Sequence, residues 1–307
     1  MTAPVAITGA TGRVGAALIR ALLRAGRPVR ALSRRPQVPQ DGVEWVRGDL
    51  LDSSAVGRLV AGSDTVFHAG GQLAGRPDEV ERSLVEGTAN VLRAARHARV
   101  VHISSLVVLD TASATSPRLI DETCPLEAFP DRRGAYTRAK SAAEALARSA
   151  SNGHDVIIVR PGLVVSAGHN AIPPSIGLRF GPCVILAGPR HARLPVVHAD
   201  DLATGLLCAL TAMQRGEILH LVDPMPVTRA ALLRRIAAGM QLTVGIPASA
   251  AALMLARRAA GSRQARVADA AYRLLSAGTP HEWSAGRATA IGWRPGALAA
   301  WLAAERS

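Results

Sequence analysis

Tyr136 and Lys140 stand four residues apart in the segment Tyr136-Thr-Arg-Ala-Lys140, and Lys140 is the only lysine among 307 residues. The chain has just one other tyrosine, Tyr272, and every other long-chain cation is an arginine. Arginine can supply charge; it cannot supply a compact ammonium. On a helix, positions i and i+4 share a face, so the phenol and the ammonium can point into one site. A free phenol ionises at a pKa of about 10, and a nearby cation favours its charged form. Such a phenol can act as acid or base on a carbonyl or alcohol oxygen while hydride arrives at, or leaves, the adjoining carbon. Lys140 can also bind ribose hydroxyls.

Ser105 closes the strand-like run Val100-Val-His-Ile-Ser-Ser105. A hydroxyl there can hold a substrate oxygen; the plainer reading of Ser104 and Ser105 is a polar strand end. A second constellation is Thr8-Gly-Ala-Thr-Gly-Arg-Val-Gly15, between a strand and a helix. Gly9 permits a tight turn, Gly12 lets a diphosphate approach the backbone, and Gly15 allows close helix packing. The helix start offers free N–H groups and a positive dipole end. Thr8, Gly9, Thr11, Gly12, Arg13, Val14 and Gly15 are therefore candidate dinucleotide ligands. In NAD sites a carboxylate about 20 positions further on holds the ribose hydroxyls. Here the second strand runs from Val29 into Ser33-Arg34-Arg35 without one. NADP is thus expected, with NAD as the alternative. Arg34 is the first candidate for the extra phosphate, and Arg35 and Arg13 are the others; the plainer reading leaves Arg34 and Arg35 solvated.

These groups need a scaffold that brings strand ends together. Strands are expected at 3–8, 29–32, 43–46, 65–68, 100–103 and 156–159, with helices between them, notably 80–97 and 136–150. The alternation predicts an α/β fold, a doubly wound parallel sheet of the Rossmann kind, with ligands at the strand C-terminal ends. Residues 1–160 form the expected dinucleotide-binding domain, with 194–222 returning to it; 161–307 form a smaller, mostly helical substrate lobe. Within that return, 194–199 reads as a strand and 201–213 as a helix. Pro173-Pro174, Gly181-Pro182 and Gly188-Pro189 mark loops.

Hydrophobic residues make up 49% of the chain, enough for a large core. No apolar run reaches the roughly 18 residues of a membrane span. The start, Met-Thr-Ala-Pro-Val-Ala-Ile, has no secretion-signal character, and Cys124, Cys183 and Cys208 have no CxxC spacing. A cytoplasmic protein without a bound metal is expected. The net charge of +13 comes with only 3% aromatics and no nucleic-acid motif, so a solvated arginine surface is expected rather than a nucleic-acid site. The surplus leans toward the C-terminal third, through Arg229, Arg234, Arg235, Arg257, Arg258, Arg263, Arg266 and Arg273. Residues 246–256 are almost wholly apolar and read as a core helix, a substrate wall or a helix lying on a membrane interface.

Taken together, these segments resemble the extended short-chain dehydrogenase/reductase family, also called the NAD-dependent epimerase/dehydratase family. The resemblance also covers Gly48-Asp49-Leu50, Val66-Phe-His68, Glu86-Gly-Thr-Ala-Asn-Val91, Arg160-Pro-Gly162, His198-Ala-Asp-Asp-Leu202 and Ile291-Gly-Trp-Arg-Pro295. It implies that Ser105, Tyr136 and Lys140 form a catalytic triad and that Asp49 contacts adenine. It also makes Leu50, His68, Ala69, Gly70, Pro161 and Gly162 candidates for lining the coenzyme, with Tyr136 and Lys140 touching it. For their side chains, His68 and His102 read more readily as packing residues, and Asp200 and Asp201 as a helix cap before Leu202. Two departures stand out. Leu84 occupies a position where the family often has asparagine, and the segment after Arg160 lacks the asparagine of nucleotide-sugar enzymes. The second points toward the hydroxysteroid-dehydrogenase and flavonol-reductase-like branch. The implied activity is hydride exchange between NADP(H) and a carbonyl or alcohol carbon of a small, fairly apolar substrate, in a homodimer. A nucleotide-sugar epimerase or dehydratase with tightly bound coenzyme, and a non-catalytic NADP-binding regulator, are the alternatives.

Overall fold

The computed structural model describes residues 2–73, 75–111, 118–168, 176–180, 183–187, 189–237, 241–246 and 281–304. The first strand, β1 (Val5–Thr8), is buried along its whole length. The chain then turns into α1 (Arg13–Arg24), whose inner stripe is Gly15, Ala17, Leu18, Ile19 and Leu22. Gly26, at φ 68°, and Pro28 stop the helix. The pattern repeats through β2 (Val29–Ser33), β3 (Val43–Arg47), α2 (Ser53–Val60), β4 (Thr65–His68), α3 (Pro77–Ala94), β5 (Arg99–Ile103), α4 (Ala135–Ala150) and β7 (Val156–Pro161). A two-residue strand, β6 (Leu119–Ile120), lies in the connection before α4.

Seven strands form one sheet in the order β12-β7-β5-β4-β1-β2-β3, where β12 is Ile218–Leu221. Every pairing in it is parallel. Helices α1 and α5 (Ala199–Ala212) bury one face around Phe67, Ile157, Leu202 and Trp293. Residues of α2, α3 and α4 bury the other around Val56, Leu59, Val91 and Ala147. From β1 the chain winds outward through β2 and β3, then crosses back to β4 on the other side. That reversal opens a crevice above the C-terminal ends of β1 and β4, where ligands of such sheets bind.

Helix α5 and strand β12 join the sheet layers, whereas β11 (Val196–His198) pairs with β8 (Leu163–Val165) in a separate two-stranded sheet. The rest of the described chain carries strands as well as helices. A three-stranded sheet joins β9 (Gly177–Phe180), β10 (Cys183–Ala187) and β13 (Gln241–Ile246), and β14 (Glu282–Trp283) pairs with β6. Helices α6 (Arg229–Ile236), α7 (Gly286–Ala290) and α8 (Ala297–Ala303) accompany them. A mostly helical lobe is expected here; β13 departs from that because Leu242, Val244 and Ile246 alternate with other residues at the strand period. Ile246 thus ends a strand. The remainder of the apolar 247–256 run, with Arg257, Arg258, Arg263, Arg266 and Arg273, lies outside the described residues. Among the described residues no helix is long and apolar enough to cross a membrane.

Candidate active site

The glycine-rich turn is built by close backbone contact. Gly9 has φ 67°, and a side chain there would collide with the Ala69–Gly70 backbone. A Cβ on Gly15 would overlap the Gly9 carbonyl and the Ala10 Cα, so only glycine lets the helix start this near the turn. Gly12 is different: a Cβ there would meet only the Gly9 oxygen, at 3.2 Å, which leaves the space over the helix start open. The buried Thr8 hydroxyl accepts from the Gly70 N–H at 3.0 Å and bonds the His68 Nδ1 at 2.7 Å, tying the ends of β1 and β4 together. Ala69 and Gly70 therefore border the crevice opposite the turn.

His68 is 2% exposed, and its other nitrogen bonds the Thr88 hydroxyl at 2.9 Å. Both ring nitrogens are used inside the protein, so the ring is a packing group and only its backbone is left for a ligand. Leu50 is a floor residue: its side chain packs under Gly70 and Gly87, and its carbonyl accepts from Asn90 at 2.9 Å. These contacts explain the Glu86–Val91 motif, whose Gly87, Thr88 and Asn90 each touch a strand end.

Beyond the ends of β2 and β3, Arg34 and Asp49 face each other at 4.0 Å, with side-chain exposures of 75% and 45%. The Asp49 carboxylate also accepts from the Leu51 N–H at 2.9 Å. Arg35 is exposed, and its backbone is held by the Ser33 hydroxyl, which donates to the Arg35 carbonyl at 2.8 Å. Arg13 does not join them. Its guanidinium donates to the Val164 carbonyl at 3.2 Å, on the β7–β8 side of the crevice and away from Arg34. Thr11 is exposed at the turn tip, and Val14 packs into the core beneath it. Pro161 ends β7 and Gly162 follows it, so close to the Pro195 carbonyl that a side chain would clash.

The three proposed catalytic side chains meet at the end of β5. Three consecutive residues there face three turns of α4: the Ile103 carbonyl accepts from Lys140 Nζ at 2.9 Å, the Ser104 hydroxyl donates to Glu144 at 2.6 Å, and the Ser105 hydroxyl lies beside the Tyr136 phenol and pulls its pKa down. Tyr136 is half-buried and packs with Val80, Leu84, Val85 and Ala139. The leucine that replaces the family's asparagine is thus part of the wall behind the phenol.

Burial decides the ionisation of this group. Loss of water pushes the Tyr136 phenol up to about 12, against the smaller opposing pull of Ser105. It pushes Lys140 down to about 8, against the charge of Glu144. The expected lowering of the phenol by Lys140 is not found: the ammonium is held on the Ile103 carbonyl, and desolvation of the phenolate sets the direction. His102 is buried beside His68, ring centroids 5.4 Å apart, and neither of its nitrogens has a hydrogen-bond partner. Burial, and then Lys140, lower His102 to about 3, so the ring is neutral.

Glu144 carries no motif of its own in the sequence. The available signal was its place four residues beyond Lys140, a carboxylate on the same stripe as buried Ala139, Ala143 and Ala147.

A model of the NAD dependent epimerase/dehydratase family matches residues 5–221. The chain belongs to that family. A ketoreductase of Stigmatella aurantiaca, named for 4-hydroxy-2-methyl-3-oxo-4-farnesyl-3,4-dihydroquinoline-1-oxide, is 31% identical over 80% of this chain and 76% of its own. Cinnamoyl-CoA reductase 2 of Medicago truncatula is 29% identical over 71% of this chain and 75% of its own. A short-chain dehydrogenase/reductase superfamily protein from Agrobacterium tumefaciens, solved with bound NAD, matches with a TM-score of 0.69 and 23% identity, over 95% of this chain and 92% of that one. At that identity the likeness speaks for the fold. As a member of this family with reductases among its relatives, the chain is an NAD(P)-dependent oxidoreductase.

Proposed function

We propose that the chain transfers hydride between NADP(H) and a carbonyl or alcohol carbon of a small, fairly apolar substrate, with Tyr136 as the acid and base. The observation that carries this reading is the Tyr136 phenol beside the Ser105 hydroxyl, with Lys140 one turn further along α4, buried and donating to the Ile103 carbonyl. The residues fit a dinucleotide: the space above Gly12 is open and lies over free helix N–H groups. Arg34, with no acidic residue between 29 and 35, supports NADP over NAD.

The nicotinamide, when bound, supplies or accepts the hydride. Ser105 holds the substrate oxygen, and Tyr136 gives that oxygen its proton. A phenol pushed up to about 12 is protonated at neutral pH, the form that donation to a carbonyl oxygen requires. Lys140 faces the phenolate that donation leaves behind and stabilises it. The relative that reduces a ketone on a farnesyl-bearing ring supports an apolar ketone substrate. A homodimer through α3 and α4, which lie side by side, and a cytoplasmic setting belong to the same proposal.

Tyr136→Phe should keep NADPH affinity and lose turnover by about 10²- to 10⁴-fold. The assay is a panel of ketones and aldehydes followed at the NADPH absorbance, with NADH in parallel. Undiminished turnover in that variant would remove the mechanism.

A further inference from the structure

The catalytic pair rests on a second, fully buried charge pair. The Glu144 side chain is 1% exposed and the Arg160 side chain 0%. Arg160 grips the carboxylate with two bonds, Nη2 to Oε1 at 2.6 Å and Nε to Oε2 at 3.0 Å. Arg148 adds a third at 3.1 Å, and the Ser104 hydroxyl a fourth at 2.6 Å. Behind Arg160, Nη1 meets His220 Nε2 at 3.3 Å. Burial opposes ionisation of Glu144, but these donors outweigh it and hold the carboxyl below its ordinary value. Buried ion pairs stabilise weakly, because desolvation offsets their attraction. Their place in the fold is therefore the informative feature, and this one sits against the helix turn and the strand residue that present the triad.

We propose that Glu144 is a positioning residue for the catalytic group: it pins Ser104 so that Ser105 faces Tyr136, and it is the counter-charge that keeps Lys140 protonated. The first half follows from geometry. Ile103, Ser104 and Ser105 are fastened in sequence to Lys140, Glu144 and Tyr136, so freeing Ser104 loosens the register on both sides of it. The second half follows from the surroundings of Lys140. The titratable groups that interact with it are Glu144 on α4, His102 on β5 and His68 on β4, and Tyr136 lies one turn back along the helix. Both histidines are neutral at pH 7, and the phenol holds its proton. Glu144 is left as the negative charge that opposes the desolvation of Lys140. Arg160 from β7 and Arg148 from its own helix fix the orientation of Glu144, and His220 of β12 backs Arg160.

The proposal rests on the triad reading, and one property of the chain tests it without a substrate. Protein grown on 13Cε-labelled lysine carries a single lysine signal, from Lys140. Burial should bring the wild-type midpoint down to about 8. Glu144→Gln should move the midpoint down by roughly one pH unit. Glu144→Asp keeps the charge and should titrate like the wild type. Ser104→Ala should also titrate like the wild type but show a several-fold lower kcat with an unchanged pH limb. Above pH 8 the fold gains from Lys140: an unfolded lysine ionises near a pKa of about 10.4, so between the two values the unfolded chain binds more protons and stability rises with pH. Loss of turnover in that window therefore does not report unfolding by this group.

A Glu144→Gln midpoint equal to that of the wild type overturns the counter-charge role. A Glu144→Asp midpoint about one pH unit below that of the wild type overturns it as well, and this comparison needs no Gln variant. Full kcat in Ser104→Ala overturns the positioning role. Turnover retained in Tyr136→Phe sinks the triad reading instead, and leaves the titration unaffected.

Discussion

A guanidinium can meet a dinucleotide at two places in this crevice, and the two places read different parts of it. Arg34 lies at the end of β2 beside Asp49, where the adenosine ribose of a coenzyme belongs. Arg13 starts α1, and its side chain runs the other way, to the Val164 carbonyl. Arg34→Met should weaken NADPH about tenfold and leave NADH within about twofold, because only the 2′-phosphate loses a partner. Arg13→Met should weaken the two coenzymes by a similar factor, or neither. Fluorescence titration with both coenzymes measures this; a loss confined to NADPH in the Arg13 variant would return that residue to the phosphate-reading role. Residue type and spacing made Tyr136, Lys140 and Ser105 legible in the sequence. The direction of the Arg13 side chain was not, because it is set by a strand 151 positions away. The partner of Glu144 was hidden for the same reason, since Arg160 belongs to the next strand rather than to the helix.

Among the elements, the β1–α1 turn constrains coenzyme binding most tightly. Gly15 faces backbone, not a movable side chain, so the added methyl of Gly15→Ala has nowhere to go without opening the turn. Overpacking of this kind costs roughly 1–3 kcal/mol. The same displacement takes the helix N–H groups off the diphosphate, so NADH and NADPH affinities should fall together, by about tenfold or more. Calorimetric titration checks this; wild-type affinity in Gly15→Ala would mean that the turn is not the diphosphate seat. The regular alternation of the first 160 residues was readable because each buried parallel strand is a short apolar run followed by a helix start. Strands β9, β10 and β13 were not: β9 and β10 flank Gly181-Pro182, which reads as loop, and β13 pairs with β10 from far along the chain.

On the scale of the whole molecule, a single aspartate fastens the chain's last helix to the layer beneath the sheet. Asp200 and Asp201 looked like caps for their own helix. Instead, His198 caps α5, accepting from the Asp200 N–H at 3.3 Å, and Asp200 pairs with Arg20 of α1 at 2.6 Å. Asp201, 5% exposed, turns to α8 and accepts from the N–H groups of Gly296, Ala297 and Leu298 at 2.9, 3.0 and 2.9 Å. Its own carbonyl accepts from Trp293 Nε1 at 2.9 Å, and that ring is buried against α5 and the sheet. The His198–Leu202 and Ile291–Pro295 segments, some ninety positions apart in the family pattern, are therefore two halves of one joint. A carboxylate facing three backbone donors at a helix start combines a cap, a favourable dipole and buried hydrogen bonds. Asp201→Ala removes all three and strands buried N–H groups, so it should cost about 2–4 kcal/mol. Asp201→Asn keeps the shape and an acceptor oxygen and should lose less. Urea unfolding separates the cases: the Ala midpoint should fall well below that of Asn, and both should fall below the wild type. Equal midpoints for all three would mean that α8 is held by Leu298 and Trp301 packing alone, with the aspartate adding nothing to the joint.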